Sequence, residues 1–308
     1  MKIGTCFLTY NSEDVITKSL AHAKAAFSNR KYDIVVVDNS STDETVAAVR
    51  KSHPEIHLIC NARNLGYSAG NNIGGRFLLS QGCDALLFVN PDVYLLPETV
   101  PRMWAALTAT PDAGCAGGVA DNGEGGIWPG SFRNKPDFVD LLVVNGFSRY
   151  LPVTRNLLKD LVKRLEKRYL VTADPRLAVQ PVYAVSGACI LFPAESFRAI
   201  GGFDEASFLF MEEFIVSERL RRVGQRVIGV PNAMYRHEMS STVRRYPLLV
   251  DYQMMRSGRH LIREYFQWPL WRLGVFTGVR CLELAAHTVF RAMSPIAAKF
   301  PRPASRAS

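Results

Sequence analysis

Two rhythms of apolar and polar positions alternate along the first hundred residues. Ile3–Thr9 (IGTCFLT) is a short apolar run ending in polar Tyr10-Asn11-Ser12, the pattern of a strand. Ser12 stands where a helix cap belongs, since its hydroxyl can accept from an orphan N–H, and a helix is predicted to about residue 28. Residues 33–38 (DIVVVD) are β-branched, too few for a helix and apolar on both faces, which predicts a buried parallel strand. Ser41-Thr42-Asp43-Glu44 opens a second helix to about Ser52, its acids at the positive end. A strand over residues 56–60, a helix over residues 70–79 and a fourth strand over Ala85–Val89 follow. This alternation implies right-handed βαβ crossovers and a doubly wound, mostly parallel sheet, whose ligands bind at the carboxyl ends of the strands. The polar groups Thr9-Tyr10-Asn11, Asp38-Asn39-Ser40, Asn64-Leu65-Gly66 and Asn90-Pro91-Asp92 fall at those ends.

Beyond residue 121 the pattern is less regular. Residues 122–130 (NGEGGIWPG) form a turn-rich loop around one large aromatic, Trp128. Residues 156–169 read as a basic amphipathic helix with Leu157, Leu158, Leu161, Val162 and Leu165 on one face. Its charges serve either a solvated exterior or a membrane-facing surface. Residues 252–266 predict a further helix mixing Arg with aromatics.

Composition changes the picture only in two respects. At 48% hydrophobic and 21% charged, with ordinary Gly and Pro content, the 308-residue chain excludes disordered and collagen-like classes. The formal charge of +9 points at first to nucleic acid or an anionic membrane. From Arg244 onward, however, eleven basic residues face three acids, a net +8, so the first 243 residues are nearly neutral. Six cysteines (Cys6, Cys60, Cys83, Cys115, Cys189, Cys281) show no metal or redox spacing and read as small buried thiols in a reducing compartment. The N-terminus enters a strand without a signal-peptide h-region. The most apolar stretch, residues 269–293, is broken by Arg272, Arg280, Glu283, His287 and Arg291. A cytoplasmic protein, soluble or peripheral, is expected.

Certain residues carry candidate chemistry. Asp38 ends an apolar strand, where its carboxylate can accept from the N–H of a base or merely cap the next helix. Asp92 follows the apolar LLFVN run and a proline. A lone carboxylate there suits Mg2+ or Mn2+ shared with a diphosphate, or an ordinary strand-end turn. Further on lie Ser186-Gly187-Ala188, Gly201-Gly202-Phe203-Asp204-Glu205, the pair Glu212-Glu213 and His237. Paired acids opening a helix serve its dipole, or, facing a cleft, provide a general base.

In order, the motifs TYN, DNSSTD, NLGYSAGNN, NPDV, SGA, GGFDE, EE and VP…H resemble those of the family 2 glycosyltransferases, rhamnosyltransferase-like branch, over residues 2–241. The resemblance implies a GT-A fold. A Rossmann-like nucleotide-binding half (1–120) would be fused to an acceptor-binding half (121–243), with a basic, aromatic-rich helical region beyond (244–308). It implies sugar transfer, with inversion, from a nucleoside diphosphate donor to an acceptor hydroxyl, dTDP-rhamnose being favoured over a UDP-hexose or UDP-N-acetylhexosamine. Thr9, Asn11, Asp38, Ser40, Asp43, Asn64, Gly66, Asn71 and Asn90 would form the donor site. Asp92 and His237 would hold Mg2+ or Mn2+, and Ser186, Gly187 and Trp128 would meet the acceptor. Glu213 would be the base, with Glu212 as a possible substitute. Two departures stand out: the usual pair is Glu-Asp, and Ile215 occupies a position that is commonly acidic.

Trp268, Trp271, Phe276 and Phe290 recur among Arg272, Arg280 and Arg291 in the last fifth of the chain. The pattern fits either an interface with an anionic membrane, reached by a glycan or lipid-linked acceptor, or a helical cap with a basic exterior. Residues 301–308 read as a disordered end. The competing classes are a non-catalytic nucleotide binder and a nucleic-acid binder. The latter has no recognisable motif, and no nucleic-acid partner is expected.

Overall fold

The computed structural model describes residues 2–27, 32–121, 126–143, 159–238 and 247–293. The loop positions 122–125, the helix positions 156–158, the side chains of Phe290 and Arg291 and the tail 301–308 lie outside the described residues. Strands β1 (Ile3–Thr9), β2 (Tyr32–Asp38), β3 (His57–Cys60) and β4 (Ala85–Val89) pair in parallel, with β1 between β2 and β4. Helices α1 (Ile16–Phe27), α2 (Thr45–Ser52) and α3 (Gly66–Ser80) make the crossovers. The strand ends match the apolar runs closely. The helix starts do not: α2 begins at Thr45, and the first turn of α1 bonds to the carbonyl of Ser12 while its hydroxyl turns to Tyr10.

The sheet then changes direction. Strand β10 (Cys189–Pro193) inserts antiparallel between β4 and β6 (Ala113–Asp121). The long β11 (Arg226–His237) runs parallel to β6, and β5 (Val93–Leu95) closes antiparallel on β11. The full order is β3-β2-β1-β4-β10-β6-β11-β5. Short strands β7 (Phe132–Arg133) and β9 (Ala184–Val185) pair apart from it, and β8 (Gln180–Pro181) joins β11.

Strand periodicity divides the interior in two. Ile34, Val36, Leu87 and Val89 pack with α1, α2 and α4 (Thr99–Thr108) on one face, while Val35, Val37, Leu86 and Phe88 pack with α3 on the other. That second face also holds α7 (Ala194–Ala199) and α8 (Glu212–Arg222). Alternate side chains of a strand covered on both sides must feed separate cores.

A third core joins α5 (Phe138–Leu142), α6 (Lys159–Tyr169) and α8 to the C-terminal helices α9 (Pro247–His260) and α10 (Leu270–Met293), through Leu141, Tyr169, Phe214, Ile215, Met254 and Phe276. Ile215, the position that resemblance made acidic, is buried there. On α6, Val162 and Leu165 are buried and Leu161 is exposed. The helix expected over residues 252–266 passes into a π-helical turn, Leu261–Phe266. Phe276 and Arg280, which the sequence pattern placed on an exterior, are turned inward. Arg280 bonds Glu283 at 2.7 Å and the carbonyl of Leu141, with its guanidinium over the Phe276 ring. Trp268 meets Phe138 edge to face and packs at a tilt against Phe266. The cysteines split: Cys6, Cys83, Cys115 and Cys189 are buried, Cys60 and Cys281 exposed.

Because Phe276 is fully buried against α9, Phe276→Ala is expected to cost about 3–5 kcal/mol. Urea denaturation of the full chain measures this, and a loss below 1 kcal/mol would show that α10 does not share the core.

Candidate active site

The carboxyl ends of β2, β1 and β4 and the residues just before β10 lie side by side, because Thr9 pairs with Asp38 and Cys189 with Val89. From β2 to β10 is three strand spacings, about 14 Å. Such a row suits an elongated ligand.

Asp38 is almost wholly buried. Its Oδ1 accepts from Thr9 Oγ1 at 2.9 Å and Ser41 Oγ at 2.5 Å, and its Oδ2 from the Ser41 N–H at 2.9 Å. Thr9 is itself fully buried, so it holds Asp38 rather than lining a cleft. Asn11 Oδ1 accepts the Thr42 N–H at 2.8 Å, joining the ends of β1 and β2. Asn11 and Ser40 both have left-handed backbones, φ 51° and 65°, a conformation non-glycine residues adopt at a cost. Asp43 opens α2: its Oδ1 accepts from the N–H and hydroxyl of Thr45, at 3.1 and 2.5 Å, and its Oδ2 from the Glu13 N–H at 3.3 Å.

Asn64 accepts the Gly66 N–H at 2.9 Å. Gly66 has φ +81°, and a Cβ there would fall 2.3 Å from the Phe208 carbonyl, so glycine is required on two counts. The contact ties the start of α3 to the loop before α8. Asn71 points the other way, into the core against Cys6, and is not brought to the strand ends. Its neighbour Asn72 instead clamps the Gly-Gly-Phe-Asp-Glu loop, accepting from the Phe203 N–H and donating to the Phe203 carbonyl and Glu205.

The Asn90 N–H donates to the Ala188 carbonyl at 2.9 Å, fastening the Asn-Pro-Asp turn to the Ser-Gly-Ala turn. Asp92, 4% exposed, has Oδ1 3.2 Å from His237 Nε2. The two side chains come from the turn before β5 and from the end of β11, brought together because Val93 pairs with His237. Adjacent vertices of an octahedral ion with ~2.1 Å bonds are about 3 Å apart, so an Asp oxygen and a His nitrogen at this separation fit one divalent ion. Among the described residues no third His, Cys, Asp or Glu joins them, so the remaining ligands would come from substrate and water.

At the other end of the row, Phe210 and Met211 both adopt left-handed backbones, φ 68° and 67°, turning the chain so that α8 opens on Glu212 and Glu213. Glu213 Oε1 accepts from Arg133 Nη1 at 2.9 Å and the Gly187 N–H at 3.4 Å, and the Gly187 carbonyl accepts from Tyr67 OH at 2.7 Å. Glu212 is buried, and burial, followed by the charge of Glu213, raises its carboxyl well above the usual range. Ser186 and Trp128 both bond Ser131: Ser186 through its N–H to the Ser131 carbonyl, Trp128 through its carbonyl to the Ser131 N–H and hydroxyl. The Trp128 side chain is exposed beside them. Arg133, Ser41 and Tyr67 were not assigned from sequence. Ser41 was findable as the third residue after a strand-end Asp; Arg133 meets Glu213 across eighty positions, where no local signal exists.

Against this geometry, residues 6–150 match the family described as Glycosyl transferase family 2. The chain is 27% identical over 251 residues to N-acetylglucosaminyl-diphospho-decaprenol L-rhamnosyltransferase of Mycobacterium tuberculosis, covering 78% of this chain and 77% of that one. It is 30% identical over 101 residues to the dTDP-rhamnosyl transferase RfbF of Shigella flexneri, 33% of each protein. Among solved structures it matches the mannosyltransferase PcManGT of Pyrobaculum calidifontis, in complex with GDP-Man and Mn2+. The TM-score is 0.54 at 16% identity, over 98% of this chain and 76% of that one. The class is therefore a GT-A-fold glycosyltransferase. Within it, residues 6–150 match family 2, and the two relatives named above are rhamnosyltransferases.

The raised Glu212 carboxyl has a consequence for stability. The folded state holds a proton that the unfolded chain releases at about pH 4.5, so folding stability is expected to fall as pH rises above that value until Glu212 ionises. Glu212→Gln should remove this part of the slope, as read by urea midpoints from pH 4.5 to 9; an unchanged slope would contradict a protonated Glu212.

Proposed function

We propose that this protein transfers L-rhamnose, with inversion, from dTDP-rhamnose to a hydroxyl of a glycan or lipid-linked acceptor in surface polysaccharide synthesis. The observation that carries the reading is the row of three stations along one set of strand ends: Asp38, then Asp92 with His237, then Glu213. A donor laid along it places its base at Asp38, with Asn11, Ser40 and Asn64–Gly66 around the nucleoside, and its diphosphate at Asn90–Asp92. The sugar then lies near Ser186-Gly187, with Trp128 on the acceptor side. The names of two relatives favour rhamnose. A UDP-hexose or UDP-N-acetylhexosamine is the alternative donor. The half 1–120 thereby supplies the nucleoside side of the donor site, while His237 and the Ser186-Gly187 turn reach the donor from the half 121–243, which also carries Trp128 and Glu213 for the acceptor.

Glu213 is the base. Its carboxylate takes the acceptor proton while the acceptor oxygen attacks the anomeric carbon from the face opposite the diphosphate, which gives inversion. A divalent ion held by Asp92 and His237 would neutralise the charge that grows on the diphosphate. The chain's own part is to hold that end rigid, through the Asn90–Ala188 bond and the β5–β11 pairing.

The C-terminal helices support a place at a membrane. No helix among the described residues is long and apolar enough to cross one. Yet α10 exposes Leu270 (82%), Trp271 (61%), Val275 (44%) and Leu282 (66%) along one side, while Arg280 and Glu283 face inward. Beside it α9 and the π-turn expose Tyr252, Arg256, Arg259 and Arg263 at helical spacing. An apolar stripe flanked by cations suits an anionic bilayer surface, at the inner face of the cell membrane.

A panel of nucleotide sugars with Mg2+ or Mn2+, read by diphosphate release, is expected to favour dTDP-rhamnose; no turnover with any donor would sink the reading. Glu213→Gln should lower kcat by about 10²–10⁴-fold, and Asp92→Ala should abolish the gain in nucleotide affinity that Mn2+ brings, read by calorimetry. Trp271→Asp with Leu282→Asp should release the protein from anionic vesicles in flotation. Unchanged flotation, or a dimer lost in the same variant, would instead assign the stripe to something other than lipid.

A further inference from the structure

Glu212 and Glu213 are neighbours in sequence but not in environment. Oε1 of Glu213 takes both the Arg133 and the Gly187 bonds, at 2.9 and 3.4 Å, and Oε2 takes neither. Oε2 of Glu212 is buried with no hydrogen-bond partner. Arg133 is fixed by its own strand: it stands opposite Ala184 in the β7–β9 pair, its carbonyl accepts the Tyr183 N–H at 3.0 Å, and its guanidinium lies 5.9 Å from the Phe214 ring centre. Burial opposes its charge, but Glu213, by charge and hydrogen bond, together with Tyr169 and Glu212 more than offsets that. One guanidinium bonded to one of two adjacent carboxyl groups favours the anion there and the acid next door.

We propose that Arg133 is the positioning residue of this site: it grips Oε1 of Glu213, presents Oε2 to the acceptor hydroxyl, and leaves the proton of the pair on Glu212. The proposal rests on the glycosyl-transfer reading for what Oε2 receives, but not for where the proton sits.

The other groups facing the pair leave this arrangement intact. Tyr67, from α3, is engaged with the Gly187 carbonyl, and burial together with both glutamates pushes its ionisation up. Tyr169 lies near Arg133 and adds no cation. Lys135 is paired with Glu218, further along α8, at 2.7 Å. During transfer the acceptor O–H bond breaks and its proton passes to Oε2 of Glu213. The acceptor oxygen bonds to the anomeric carbon, and the bond from that carbon to the diphosphate oxygen breaks, its electron pair staying on the diphosphate. Glu213, now a neutral acid, returns the proton to water. The proton on Glu212 is not consumed.

The test uses the full chain with four variants: Arg133→Met, Arg133→Lys, Glu212→Gln and Glu213→Gln. Infrared difference spectroscopy at pH 7 is expected to show one protonated carboxyl band that vanishes in Glu212→Gln and persists in Glu213→Gln. A band lost in Glu213→Gln instead, or absent from the unmodified protein, overturns the proposal, and this readout needs no turnover. Arg133→Met should lower kcat about 10–100-fold with the KM for nucleotide sugar unchanged, and should move the acidic limb of the pH–rate profile up, with Arg133→Lys restoring part of both. A lower kcat with an unmoved limb would make Arg133 merely structural and overturn its assignment. A chain inactive on every donor, with the band still on Glu212, would contradict glycosyl transfer and not the proton's place.

Discussion

The antiparallel register of β10 against β4, Cys189 on Val89 through Pro193 on Ala85, is the constraint on which the rest depends. A parallel sheet continued by crossovers would carry the next polar turn to the same end only after another helix. An antiparallel strand starts where its neighbour stops, so the Ser186-Gly187-Ala188 turn that precedes β10 is delivered beside the Asn90-Pro91-Asp92 turn that follows β4. The bond from the Asn90 N–H to the Ala188 carbonyl records that meeting. Through it a nucleotide-type α/β half and a segment nearly a hundred residues downstream share one row of strand ends. Gly187 then passes the alignment to α8, since its carbonyl holds Tyr67 and its N–H faces Glu213.

Charge in this row is sparse, and each acid has its own kind of partner. Asp38 is satisfied by hydroxyls and an N–H, Asp92 stands against an imidazole, and Glu213 against a guanidinium. In the proposed reaction these three acids would take three separate tasks: reading a base, sharing a metal and accepting a proton. Glu212 falls outside the series. Its burial, followed by the charge of Glu213, raises its carboxyl well above the usual carboxylate range.

Legibility followed the range of the forces involved. The strands β1 and β4 were readable to the residue, because a run apolar on both faces has few alternatives once it is too short for a helix. The same logic failed for direction within an element. Asn71 and Asn72 are adjacent on α3, yet one meets Cys6 in the core and the other clamps the loop before α8, a matter of helix phase that polarity alone does not disclose. Thr9 looked like a lining residue, but it is fully buried and its hydroxyl supports Asp38. In the last fifth of the chain, aromatic and basic residues were interleaved as at an interface, but Phe276 and Arg280 turn inward as a ring and a cation stacked on one another. Arg133 was invisible, because a two-residue strand among loops leaves no periodic trace.

The departure at residue 215 connects these regions. An acid there would have to sit where Ile215 is now buried, in the core that α8 shares with Met254, Leu261 and Phe276. An apolar residue at that position lets the C-terminal helices pack directly on the helix whose first turn carries Glu212 and Glu213. Asp204 strengthens the same junction, accepting from His260 and from Tyr265 OH at 2.8 and 2.5 Å. The loop that Asn72 clamps is thus also the loop that anchors α9. With α9 and α10 packed on α8, and Arg222 of α8 donating to the Glu264 carbonyl at 2.8 Å, a force on their exposed stripe would be carried to Glu213, the base of the proposed reaction. A chain that docks by that stripe would present Glu213 at a fixed height above the docking surface, which is the geometry an acceptor tethered to that surface requires.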